Sequence, residues 1–195
     1  QQLESYECCT LVETFPYRAA DFKEYKRALK YAFLYAKTVT LLPTHWPKVN
    51  EIMQRNRRIG TSMTGVFQFA EEHGWALLRQ WCDEGFDVVK SYDHGYSRWL
   101  GIRKSIRMCS VKPSGTTSLL FGATPGQHAP VASGDYLRLT REVAGSIIVD
   151  IALDAGYFVE PDVTNPDGTS IIYFPTTGPE VRSERDVPLF EQMAL

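Results

Sequence analysis

Ser105-Ile106-Arg107-Met108-Cys109-Ser110-Val111, continuing through Lys112-Pro113-Ser114-Gly115-Thr116 into Thr117-Ser118-Leu119-Leu120, is the stretch on which the fold turns. Residues 105–111 alternate with period two, as a strand does when its two faces meet different surroundings. Pro113 and Gly115 end that pattern, and the hydroxyl-rich residues after them suit the first turn of a helix. A strand that passes through such a turn into a helix leaves backbone N–H groups unpaired at the positive end of the helix dipole, which makes a ready anion site. Ser and Thr hydroxyls add donors, and Gly115 lets a phosphate approach the backbone closely. The Gly-x-x-x-x-Gly-Lys-Ser/Thr spacing of a P-loop is absent. An ordinary N-cap with no ligand would use the same residue types.

Toward the N-terminus, Phe22, Tyr25, Leu29, Phe33, Ala36 and Val39 recur every three or four residues, which predicts an amphipathic helix from Asp21 to Leu42. Asp21 with Glu24 three residues on would open it, and Pro43 would close it. A second helix is expected from about Pro47 to Arg57, with Pro in its first turn. Residues 58–65 then read as a short buried strand. Helical patterns follow over 67–72 and 75–99, the latter expected to break near Gly85 or Gly95. Beyond the loop, Leu137, Val143, Ile147, Ile148, Ile151 and Leu153 predict a long helix from Tyr136 to Ala155. Asp167-Gly168 marks a turn before a strand at 170–174. Strands separated by long helices predict an α/β architecture with parallel pairing.

The chain has 195 residues, 44% hydrophobic and 12% aromatic, enough for one substantial core. Its 21 Lys and Arg against 23 Asp and Glu leave a net charge of -2, so bulk charge draws it to neither nucleic acid nor membrane lipid. No apolar run approaches the roughly 18 to 20 residues of a membrane span, and a soluble, cytoplasmic protein is expected. Cys8, Cys9, Cys82 and Cys109 contain no Cys-x-x-Cys pair and fit no secreted disulfide framework. His45, His73, His94 and His128 show no ligand spacing, so no metal site is expected. Arg57 and Arg58 read as a solvated helix end, and Cys82, beside Trp81, as core packing. Gln1 in place of an initiator Met, and a Pro- and charge-rich stretch before Leu195, suggest a piece of something longer.

Val111-Lys112-Pro113-Ser114-Gly115-Thr116 with Gly122-Ala123-Thr124-Pro125-Gly126-Gln127-His128-Ala129-Pro130 resembles the substrate-phosphate loop of the ribonucleotide reductases. Glu7-Cys8-Cys9-Thr10-Leu11-Val12-Glu13, Arg57-Arg58-Ile59-Gly60 with Thr64-Gly65, and Ala155-Gly156-Tyr157-Phe158-Val159-Glu160-Pro161 resemble the same family in the same order. The likeness is greatest to the monomeric adenosylcobalamin-dependent enzymes that act on ribonucleoside triphosphates. The dimeric cobalamin enzymes and the diiron class stay open. The resemblance implies an α/β barrel of ten strands in two parallel five-stranded halves, of which residues 1–195 would form part of the second half. It also implies reduction of ribonucleotides to deoxyribonucleotides by thiyl-radical chemistry. Adenosylcobalamin as cofactor, a deoxynucleotide as allosteric effector and a thioredoxin-type reductant come with it. Pro113, Ser114, Gly115, Thr116 and Thr117 would then bind substrate.

In that family the radical cysteine lies in a loop just upstream of the segment that Gln1 to Thr14 resembles, and shuttle cysteines lie near the C-terminus. Neither is in this chain, so the 195 residues alone are expected to be inactive. A cysteine shortly downstream of the radical loop is half of the electron-donating pair in the family. Neighbours on a strand face opposite ways, so only one of Cys8 and Cys9 can face the cavity, and the match of Cys9-Thr10-Leu11 to the family pattern selects Cys9 as the catalytic residue. His128 stands where the family has a loop histidine, either touching substrate or cofactor or holding the loop. Two rival readings are a glycyl-radical enzyme on the related barrel and a non-catalytic nucleotide-binding or regulatory module.

Overall fold

The computed structural model describes residues 2–193. Strands β1 (Thr10–Thr14) and β2 (Ile59–Met63) pair in parallel, Thr10 opposite Ile59 through Thr14 opposite Met63. On the other side of β2, Ile59 N–H donates to Arg107 O at 3.0 Å, Thr61 N–H to Met108 O at 2.9 Å and Ser110 N–H to Thr61 O at 3.0 Å. The strand expected over 105–111 is thus reduced to one parallel bridge, Cys109 with Thr61. Its pairing stops there because Lys112 and Ser114 turn toward the end of β1, where both bond to Glu13.

Helices α1 (Phe22–Val39), α2 (Pro47–Asn56), α3 (Val66–His73) and α4 (Trp75–Leu100) supply the first half's connections. Asp21 caps α1 by accepting the Glu24 N–H at 2.8 Å, and the Glu24 carboxylate accepts from Ala20 N–H at 2.9 Å. The apolar positions that predict α1 are the ones it buries: Tyr25, Leu29, Phe33 and Ala36 pack with Ile59, Phe69, Leu78, Trp81 and Val89. The expected break in α4 does not occur. Gly85 faces α1, where an added Cβ would lie 3.4 Å from Leu29 Cδ1, so the glycine lets the two helices approach. Tertiary packing outweighs the roughly 1 kcal/mol that a mid-helix glycine costs. Gly101, at φ 67°, ends the helix in the left-handed conformation common at this position.

The second half departs further from expectation. After α5 (Thr117–Leu120) come β3 (Asp135–Val143), α6 (Ile147–Asp154), β4 (Phe158–Pro161), β5 (Thr169–Thr177) and the short α7 (Leu189–Met193). The predicted helix over Tyr136–Ala155 is therefore a strand, a turn at Gly145 (φ 73°) and a shorter helix. Leu137, Leu139 and Val143 are also compatible with period two, and β3 gains a long antiparallel partner in β5, Asp135 opposite Thr177 through Val143 opposite Thr169. With β4 on the other side of β5, this makes an antiparallel sheet, so pairing is not parallel throughout. Val149 and Ala152 of α6 pack on Ile172, while Leu137, Leu139, Ile147, Ile151 and Phe158 remain exposed.

Candidate active site

Alternation along β1 sorts its side chains. Thr14 faces the helices, its hydroxyl 3.0 Å from Tyr25 Oη, and Val12 packs against the same core. Cys9, Leu11 and Glu13 take the opposite face. There the pairing with β2 brings Cys9 and Leu11 beside Gly60, whose missing Cβ would lie 2.6 Å from Leu11 Cδ2, 3.0 Å from Ser110 Cβ and 3.3 Å from Cys9 Sγ. A methyl at position 60 would crowd the Leu11 side chain and press close on the thiol. Cys8 is exposed.

The loop after Val111 closes onto the same face. Lys112 Nζ lies 2.5 Å from Glu13 Oε1, and Ser114 Oγ donates to that oxygen at 2.7 Å. Glu13 Oε2 accepts from Ser62 Oγ at 2.9 Å and Thr64 Oγ1 at 2.5 Å. Ser114 is left-handed, with φ 49°. Ser118 N–H donates to Ser114 O at 3.0 Å, while Gly115 and Thr116 are exposed at the tip. Behind the loop runs residues 122–130. Gly126 is left-handed too, and a Cβ there would lie 2.3 Å from Lys112 O. Gly65 N–H donates to Thr124 O at 3.0 Å and Val66 N–H to Gly126 O at 3.1 Å, which ties this second segment to the turn after β2. Tyr17 Oη and Arg18 Nη2 both donate to Phe121 O.

The structure thus brings Cys9 and the loop from Pro113 to Thr117 to one face of the sheet, with Glu13 between them. Glu13, which the sequence shows only as the end of a family-like segment, is the residue whose role was missed, because its four donors lie 49 to 101 positions away. His128 is exposed, and its backbone N–H donates to Pro125 O at 2.9 Å. Arg57 and Arg58 are not a solvated helix end. Arg57 is buried in a left-handed conformation and donates to Thr40 O, and buried Arg58 donates to Glu7 Oε1 at 2.8 Å.

The electrostatics follow from these contacts. Burial pushes the Cys9 thiol above the ordinary cysteine range, against the opposing pull of Arg58 and Lys112, so it rests protonated at neutral pH. Burial also pushes the Glu13 carboxyl up, but donation from Lys112, Ser114, Thr64 and Ser62 outweighs it and holds Glu13 below the ordinary range, hence ionised. Glu7 is held down in the same way, burial being overcome by Arg58, the Glu4 N–H and Asn56.

A cavity of about 780 Å³ lies on the helix side, lined by Thr61, Met63, Trp75, Leu78, Phe86 and Cys109 among others. Cys9, Glu13, residues 113–117 and His128 are not among its described lining residues. Its walls are mainly apolar, whereas the face around Glu13 gathers polar groups from three segments, so the latter is the candidate site. Cys82 is not core packing as expected: it lines this cavity, 3.9 Å from Met63 Sδ. Burial raises the Cys109 thiol to about 11.

No protein-family model matches the chain. It is 50% identical over 196 residues to the adenosylcobalamin-dependent ribonucleoside-triphosphate reductase of Euglena gracilis, covering 100% of this chain and 27% of that protein. The enzyme of the same description from Lactobacillus acidophilus is 32% identical over 199 residues, covering 89% of this chain and 26% of the relative. The fold matches a crystal structure of a B-12 dependent (class II) ribonucleotide reductase with a TM-score of 0.76 and 26% identity, over 91% of this chain and 29% of that one. In sequence along its whole length, and in fold, this chain is similar to adenosylcobalamin-dependent ribonucleoside-triphosphate reductases, and it spans about a quarter of their length.

Proposed function

We propose that these residues work as part of a longer, cytoplasmic ribonucleoside-triphosphate reductase, in which they hold the substrate's phosphates and supply one thiol of the reducing pair. The observation that carries this is the convergence of Cys9 and the 113–117 loop on one face of the β1–β2 pair. In this reading the parallel strands, with helices on one side and a polar face on the other, belong to a ten-stranded barrel, and the polar face is turned inward.

Pro113, Ser114, Gly115, Thr116 and Thr117 bind the triphosphate, chiefly through backbone N–H groups and the Thr116 and Thr117 hydroxyls, because Ser114 Oγ is already engaged by Glu13. Cys9 and a second cysteine from another part of the longer protein are oxidised to a disulfide. The two electrons and two protons they give up replace the ribose 2′-hydroxyl by hydrogen and release it as water. The half-buried, protonated Cys9 suits this, since it brings its own proton. A thioredoxin-type dithiol then reduces the disulfide, and a deoxynucleotide effector acts elsewhere. Adenosylcobalamin, named for the relatives, supplies the initiating radical when bound. Among the described residues no group of three or more His, Cys, Asp or Glu side chains is placed to hold a metal ion.

Cys9→Ser in the longer protein tests the reading. Ribonucleoside-triphosphate binding should persist, while deoxynucleotide formation over many turnovers collapses, because serine forms no disulfide. Cys8→Ser should stay close to wild type. Sustained multiple turnover by Cys9→Ser would remove Cys9 from the chemistry.

A further inference from the structure

The Glu13 carboxylate joins three parts of the chain. A carboxylate has about four acceptor directions, and all four here are taken: Ser62 from β2, Thr64 from the turn that follows, and Lys112 and Ser114 from the loop. The two loop donors converge on the same oxygen, Oε1, at 2.5 and 2.7 Å. Just beyond them the backbone takes the left-handed turn at Ser114, a conformation a serine rarely holds unless its surroundings impose it. The Ser114 hydroxyl, fixed on Glu13, is such a constraint. From the other side Gly126 presses against Lys112 O and Pro113 O, where no Cβ would fit. The stem of the loop is therefore clamped between a carboxylate and a glycine, while nothing lies within 4 Å of a Cβ added at Gly115.

We propose that Glu13 is a positioning residue for the phosphate loop: by gripping Lys112 and Ser114 it sets the direction in which the Gly115, Thr116 and Thr117 N–H groups point. This rests on the phosphate-binding reading above. It adds that the loop's lysine charge is already balanced by Glu13, so the triphosphate is recognised by oriented backbone dipoles more than by an ammonium group. Glu13 need not touch the substrate at all.

The test uses the longer protein with Glu13→Gln and Ser114→Ala, reading amide hydrogen exchange over 111–118 and steady-state kinetics with ribonucleoside triphosphates. Glutamine keeps the length and some hydrogen bonds but loses the charge that pairs with Lys112. Exchange over 111–118 should rise roughly tenfold in Glu13→Gln, with residues 59–63 unchanged, and KM should rise by a similar factor with a smaller change in kcat. Ser114→Ala, which keeps the Lys112 pair, should move both readouts the same way by less, and it carries the test if Glu13→Gln does not fold. Unchanged loop exchange in the folded variants overturns the proposal whether or not the protein reduces nucleotides. Raised exchange with KM unchanged, in a protein that does reduce them, makes Glu13 merely structural and also overturns it. A wild-type protein that binds no ribonucleoside triphosphate would instead bring down the phosphate-binding reading, and the positioning role with it.

Discussion

Cys9, Leu11 and Glu13 share a face because side chains along a strand alternate, and Cys9 and Leu11 both lie against Gly60, a residue with no side chain. Gly60→Ala would put a methyl 2.6 Å from Leu11 Cδ2 and 3.3 Å from Cys9 Sγ. Exposed Leu11 can swing clear of that methyl, so denaturant unfolding should show a loss of no more than about 1 kcal/mol, and the rate of Cys9 alkylation should change while that of exposed Cys8 does not. Glu13 gives a second prediction, on pH. Its carboxyl lies below the ordinary range in the folded chain, so its contribution to stability is fully present above the ordinary glutamate pKa and is lost as pH falls through the folded value. Urea midpoints followed downward from pH 6 should therefore drop less steeply in Glu13→Gln than in wild type.

Among the elements, α1 shows how a local sequence signal and tertiary packing agree. Asp21 accepts the Glu24 N–H at 2.8 Å, and Asp21→Ala should cost about 0.5 to 2 kcal/mol in denaturant unfolding, with KM for nucleotide unaffected. Residues 135–155 show the reverse. Their leucines and isoleucines suit either a helix or a strand, and only the nine-residue pairing of β3 with β5 decides for the strand. The loop stem belongs to the same class, since Gly126 is needed only because Lys112 O comes to lie against it. Gly126→Ala meets both a positive φ of 54° and the carbonyl 2.3 Å away. It should loosen the loop and raise KM for ribonucleoside triphosphate in the longer protein, without the loss of multiple turnover expected of Cys9→Ser.

Across the molecule, α1, α4 and residues 103–105 are joined by a buried ion pair. Lys37 Nζ donates to Asp93 Oδ1 at 2.6 Å, Ser105 Oγ at 2.9 Å and Arg103 O at 3.1 Å, and the Lys37 side chain is 0% exposed. Removing one partner leaves the other charge buried and uncompensated, so Lys37→Ala should cost roughly 3 to 5 kcal/mol. The double replacement Lys37→Met with Asp93→Leu should recover much of that loss in the same unfolding assay. At this scale too, the 195 residues alone should bind nucleotide weakly. A charge at a helix N-terminus contributes about 0.3 to 2 kcal/mol, against about 8 kcal/mol for micromolar affinity, and Lys112 and Ser114 are already committed to Glu13. Calorimetric titration should show binding weaker than micromolar; a micromolar complex would refute this.

What the sequence determined by itself was whatever depends on near neighbours. The cap and buried stripe of α1, the strand at 59–63 and the turn into the hydroxyl-rich loop all follow from spacings of a few residues read against backbone periodicity. Tertiary structure decided what depends on residues far apart in the chain. It turned Asp135–Val143 into a strand, carried α4 through Gly85, buried the Arg57 and Arg58 side chains, and made Glu13 the joint between β1, β2 and the loop that begins at Lys112. The physical reason is the same in each case: a hydrogen bond or a packed contact between distant segments exists only once the chain has brought them together, and no local pattern records it.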